Sequence, residues 1–139
     1  AACHGKIQRY SSVLVALARG DVDAAQVAGD IRRYFDTAGR HHHQDEECDL
    51  FPLLVRHGID GAALAGEHQR LDALWAACAP ELMQLSPSAR ASALAFAALN
   101  EQHVAFENEH VLPAAARLLG PDEIALLGER MALRRGLRR

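Results

Sequence analysis

Four short breaks decide what this chain can become: Gly20-Asp21, Gly58-Ile59-Asp60-Gly61, Ser86-Pro87-Ser88 and Gly120-Pro121-Asp122. Each joins a helix stop to a helix start, because glycine ends helices cheaply while Asp, Ser and Pro favour their first turn. Helices are therefore predicted from the start of the chain to Arg19, from Val22 to His57, from Gly61 to Leu85, from Pro87 to Leu119 and, shorter and amphipathic, from Pro121 to about Arg135. Inside them apolar residues recur at helical spacing: Ile7 and Leu14; Ala28, Ile31, Phe35, Ala38 and Leu53; Leu64, Leu71, Trp75 and Leu82; Phe96, Leu99, Phe106 and Leu118. Loops this short force successive helices antiparallel. The expected fold is all-α, an up-down-up-down four-helix bundle with a short additional C-terminal helix. Pro52 and Pro113 fall within continuous helical pattern, with no glycine or polar cluster beside them, and are expected to kink their helices rather than break them. Pro80 is expected to bend the third helix or end it early.

Composition narrows the field further. Half of the residues are hydrophobic but only 5% are aromatic, a mixture that suits closely packed helices better than a β-sandwich. At 139 residues the chain is long enough for one core and too short for two, so residues 1–139 are expected to form a single domain. Fifteen basic and eighteen acidic residues leave a net charge of -3, which speaks against a nucleic-acid partner. The basic end, Arg134, Arg135, Arg138 and Arg139, reads as a solvated helix terminus. Cys3, Cys48 and Cys78 cannot all pair and form no C-x-x-C spacing, so a reducing cytoplasm is the expected setting and small buried residues their expected role. Cys48 alone lies near a candidate site, though directed off its face. No apolar run approaches the roughly 18 residues that span a bilayer, and no membrane partner is expected.

The chain also repeats itself. His42 is followed by Glu46 four residues later and Pro52 six after that, and His103, Glu107 and Pro113 follow the same spacing. Upstream, Cys3-His4-Gly5-Lys6-Ile7 resembles Glu67-His68-Gln69-Arg70-Leu71, so the chain reads as two related helix hairpins. A histidine and a glutamate at i and i+4 share one helix face, about 6 Å apart at Cβ, and can reach one metal cluster. His42/Glu46 and His103/Glu107 continue the apolar stripes and so point inward; His68 falls between Leu64 and Leu71, and His4 three residues before Ile7. A lone inward histidine is ordinarily a hydrogen-bonded core residue. Six inward ionisable groups from four helices are another matter, because an apolar core tolerates them only with compensation, and a cation supplies it. Four imidazoles and two bridging carboxylates suit two iron ions, with manganese or zinc as alternatives, whereas Mg²⁺ and Ca²⁺ prefer oxygen and structural zinc prefers thiolate.

These stretches, HHQDEECDLFP from His42 and HVAFENEHVLP from His103, together with the CHGKI and EHQRL segments, resemble the hemerythrin-like HHE cation-binding domains along essentially the whole chain. The resemblance implies His4, His42, His68 and His103 as terminal ligands of two non-haem irons, with Glu46, Glu107 and an oxo or hydroxo group bridging them. Oxygen-carrying hemerythrins place a second histidine on the third helix, four after the first; here Asp72 stands there, either an additional carboxylate ligand or a gap. His43, with Glu47 four residues on, is the competitor to His42 and a candidate extra ligand. His41, His57 and Glu47 are expected to be solvated, and His110 and Asp49 to support ligands from behind. Three readings stay open: a module that binds or senses oxygen, peroxide or nitric oxide; an iron-handling or redox enzyme; or a bundle stapled by its metal.

Overall fold

The computed structural model describes residues 2–136, with side chains from residue 4 onward, so the Cys3 side chain and Arg138 and Arg139 lie outside the described residues. Those residues form helices and no strand. Helix α1 is Ala2–Arg19, closed by Gly20 at φ 78°, where a side chain would be strained. Helix α2 spans 24–56, launched by Asp23, whose carboxylate accepts from the Ala25 N–H at 3.1 Å. Helix α3 is Gly61–Cys78, capped the same way by Asp60 on Ala62. It ends early, as Pro80 predicts, in a 3₁₀ turn over Ala79–Glu81. Helix α4 spans 87–118, with Ser86 as its cap and Pro87 at its first position. Helix α5 is Pro121–Arg134.

Two of these helices carry a widened turn where the prolines demand one. In α2 the stretch Asp45–Leu50 is π-helical, and the N–H of Phe51 bonds to the carbonyl of Glu46, five residues back. In α4 Glu107–Val111 is π-helical, and Leu112 bonds to the carbonyl of Glu107. In α geometry each proline ring would collide with the carbonyl four residues before it, and the wider turn moves that carbonyl away. A further break, unforeseen, interrupts α2 at Thr37, whose hydroxyl donates to the Arg33 carbonyl at 2.6 Å.

The breaks move the buried stripe by one residue. Gly39 is buried where Ala38 was expected, Leu54 where Leu53 was, and Leu119 where Leu118 was. Phe106, assigned to the stripe, is 44% exposed, with its ring 4.9 Å from that of His110. Inserting a residue into a helical turn rotates everything beyond it by about one position, and periodicity read from a regular helix cannot anticipate that; Phe106 precedes the π turn, and its exposure is not due to it.

Helix α4 packs along both α1 and α3, while α1 also meets α2. The apolar interior divides in two. One cluster gathers Ile7, Leu14, Ile31, Phe35, Leu71 and Phe96; the other gathers Leu50, Phe51, Leu54, Leu64, Val111 and Leu119. Following any of α2, α3 or α4 from the first cluster to the second passes a histidine: His42 lies between Phe35 and Leu50, His68 between Leu71 and Leu64, His103 between Phe96 and Val111. The gap between the clusters is where the polar groups sit.

Arg134 and Arg135, the described part of the basic end, are not solvated as expected. The Arg134 guanidinium donates to Asp45 and to Asp49, each at 2.7 Å, and Arg135 donates to both oxygens of Asp45. Both aspartates are buried, so each carboxylate is compensated by the cation docked on it. No helix among the described residues is long and apolar enough to cross a membrane.

Candidate metal centre

Four helices bring His4, His42, Glu46, His68, His103 and Glu107 together. They form two overlapping groups, His4 with His42 and His68 with His103, each sharing both glutamates, and within each group the donor atoms lie within 4.8 Å of one another. His4 Nε2 is 3.1 Å from Glu107 Oε1, His68 Nε2 is 3.1 Å from Glu46 Oε1, and His103 Nε2 is 3.1 Å from Glu107 Oε2. His42 Nε2 stands slightly further off, 3.4 Å from Glu46 and 3.8 Å from Glu107. All but His42 are buried, and His42 is half-buried.

The outer nitrogens of three rings are already engaged. His4 Nδ1 donates to Asn108 Oδ1 at 2.7 Å, His68 Nδ1 to Glu47 at 2.9 Å and His103 Nδ1 to Glu67 at 3.0 Å. A neutral imidazole that donates through Nδ1 carries a lone pair on Nε2. The Nε2 atoms of His68 and His103 are 3.0 Å apart and each also faces a glutamate oxygen. Lone pairs so placed repel unless a cation or shared protons lie between them. Six buried side-chain atoms among the described residues lack a hydrogen-bond partner, and four of them are His42 Nε2, Glu46 Oε1 and both oxygens of Glu107. Unsatisfied lone pairs converging from buried donors are what a metal pair would satisfy, so the residues fit the group the sequence implies.

Electrostatics in the metal-free protein point the same way for Glu46 and His42 and the opposite way for His68. Burial pushes the Glu46 carboxyl upward, but the imidazoles of His103 and His68 facing it outweigh burial and bring its pKa down to about 2. The carboxylate is thus ionised and ready to ligate. Burial lowers His42 and His43 below their ordinary value and favours their neutral, ligating form. For His68 burial acts downward too, but Glu46 and Glu47 prevail and raise it.

The two additional candidates stand apart from the cluster. Asp72 has a side chain 73% exposed, with its carboxylate 3.8 Å from His43 Nδ1. His43 stacks on His68 at 4.2 Å between ring centroids and joins neither donor group. Both line a cleft of about 560 Å³ between α2 and α3, with Phe35, Glu47 and Trp75. Of the expected solvated residues, Glu47 is exposed as expected and also accepts from His68 Nδ1, while His57 lies 3.4 Å from Glu123. Asp49 pairs with Arg134 rather than with a ligand, and His110 is exposed beside Glu109. Cys48 is exposed, against the expectation for it, whereas Cys78 is buried and its thiol is pushed by burial up to about 11.

Three supporting residues escaped the sequence reading: Glu47, Asn108 and Glu67. The repeat held a signal for two of them. Glu47 follows His42 by five positions and Asn108 follows His103 by five, and each holds the histidine contributed by α3 or α1 respectively. The pseudo-twofold relation thus extends to groups behind the ligands.

Comparison with known proteins agrees with this geometry. The sequence model of the hemerythrin HHE cation-binding domain matches residues 1–115. An uncharacterized protein of Haemophilus influenzae is 28% identical over 151 aligned residues, covering 96% of this chain and 86% of its own length.

Proposed function

Because the chain belongs to the hemerythrin HHE cation-binding family, we propose that it is a non-haem di-iron protein that binds or senses oxygen, peroxide or nitric oxide. The observation that carries this reading is the pair of donor groups sharing Glu46 and Glu107. In it His4, His42, His68 and His103, together with Glu46 and Glu107, would hold the two irons, and an oxo or hydroxo group would complete the set. The course of the helices is then the up-down-up-down bundle, with α5 laid against it. An iron pair supplies redox chemistry toward small oxygen and nitrogen species. The residues of the chain do the rest. Glu47, Asn108 and Glu67 fix the tautomer and direction of His68, His4 and His103. The two apolar clusters on either side keep bulk water from the donors. The cleft beside His43 gives a small ligand its approach. Four neutral imidazoles leave the centre less negative than a site built mainly of carboxylates, which suits reversible binding better than strong oxidation.

One observation favours the second reading, iron handling or redox catalysis. With Asp72 turned outward, α3 offers a single donor, His68, to the cluster, and a shorter ligand set releases metal more readily. Stopped-flow spectra of the anaerobically reduced, iron-loaded protein separate the two. A spectral change on adding oxygen that reverses on its removal supports the sensor or carrier; irreversible oxidation, or rapid iron loss to a chelator, transfers support to iron handling.

A further inference from the structure

Helix α5 lies beyond the family match, which ends at residue 115, yet it reaches the segment that carries one of the bridging glutamates. It buries no residue fully. Leu127 rests partly buried on the apolar cluster of Leu50, Leu54 and Leu119, while Ile124, Leu126 and Leu133 stay exposed. Apolar packing alone therefore attaches this helix weakly. Its firm attachment is electrostatic and lies at its far end. Arg134 bridges Asp45 and Asp49 at 2.7 Å to each, and Arg135 grips both oxygens of Asp45, at 3.0 and 2.6 Å. Arg130 adds a longer contact to Asp49 at 3.6 Å.

The position of the two aspartates gives the clamp its meaning. Both are buried and belong to the π-helical stretch Asp45–Leu50, and Asp45 immediately precedes Glu46 in the chain. A π turn has poorer hydrogen-bond geometry than an α turn and is held open by its surroundings. Three charge-assisted hydrogen bonds to the residue next to Glu46, and a fourth one turn further on, restrain the backbone that aims the Glu46 carboxylate. The equivalent stretch of α4 has Phe106 and His110 at the corresponding places, both exposed, so the restraint is one-sided.

We propose that Arg134 and Arg135 of α5 are positioning residues that act through Asp45 and Asp49 to hold Glu46 in its bridging geometry, and so set how firmly the chain keeps its metals. The proposal rests on the di-metal reading of the cluster. The C-terminal helix is then a strap on the metal centre rather than a passive extension. Releasing it loosens one bridge and leaves Glu107 in place.

The test uses the full chain loaded with Co²⁺, whose visible d–d bands report ligand geometry, and follows transfer of the metal to a chelator in excess. Arg134→Gln with Arg135→Gln is expected to shift those bands and speed metal release at least tenfold. Arg134→Lys with Arg135→Lys, which retains the charges, is expected to recover much of the loss. Asp45→Asn with Asp49→Asn should give a similar acceleration, and the combined variant should be no faster than either pair alone, as coupled groups behave. Leu14→Ala, in the core of α1, is the control for general destabilisation. If the glutamine pair leaves spectrum and release rate unchanged, or if Leu14→Ala matched for melting temperature accelerates release equally, the positioning role is overturned. Failure of the parent reading looks different: the unaltered chain would take up fewer than two Co²⁺.

Discussion

Glu46 and Glu107 belong to both donor groups, so at the scale of single residues the two glutamates outrank the four histidines. In the proposed centre a histidine would serve one metal and a shared carboxylate two. The residues behind the ligands come next. Replacing Glu47 by Gln or Asn108 by Ala is predicted to weaken metal binding by roughly 10- to 100-fold without unfolding the chain, as loss of an outer hydrogen bond to a ligating histidine does; a metal titration by calorimetry reads this. Acidity gives an independent check. The Glu46 pKa of about 2 lies below its ordinary 4.5, so the ionised group favours the folded metal-free protein above pH 4.5, and that contribution disappears as pH falls from 4.5 toward 2. The melting temperature of the metal-free protein should fall across this window, and less steeply in Glu46→Gln. Cys48 is exposed, and Cys48→Ser is predicted to leave metal content unchanged and stability within about 0.5 kcal/mol.

At the scale of helices, the sequence was informative wherever a residue acts locally. Asp23, Asp60, Ser86 and Pro87 start helices because a short polar side chain or a fixed φ acts on its own backbone, and these starts were readable within a residue or two. Ser86→Ala is accordingly predicted to cost about 1 kcal/mol in thermal unfolding with metal binding retained, through loss of the bond from the Ala89 N–H. What was not readable is the response of a helix to an internal proline. The spacing from His42 to Pro52 and from His103 to Pro113 marks where the strain arises, but kink and widened turn are both answers to it. Only packing selects between them, and the choice moved the buried residue from Leu53 to Leu54. The six candidate ligands were nevertheless found together because His4 and His68 lie on helices without a π turn, while the His42/Glu46 and His103/Glu107 pairs are local i,i+4 relations that a shift elsewhere in the helix leaves unchanged.

Across the whole molecule the cluster fills the gap between two apolar cores and joins four helices, so metal binding and folding must be linked. Whatever binds the folded chain and not the unfolded one stabilises it by mass action, and chelation is predicted to lower the melting temperature while readdition of iron restores it. Contacts between distant segments were the part of the fold that the sequence concealed: the docking of Arg134 and Arg135 on aspartates some ninety residues earlier leaves no periodic trace, and a run of arginines at a chain end looks the same whether free or bound. The central claim, that one metal pair is shared by two carboxylates, is tested most directly by elemental analysis of the protein purified without added metal, beside its Glu46→Ala and Glu107→Ala variants. Two irons per chain in the parent, and no more than one in either variant, is the predicted result. Two metals retained after loss of either glutamate would contradict it.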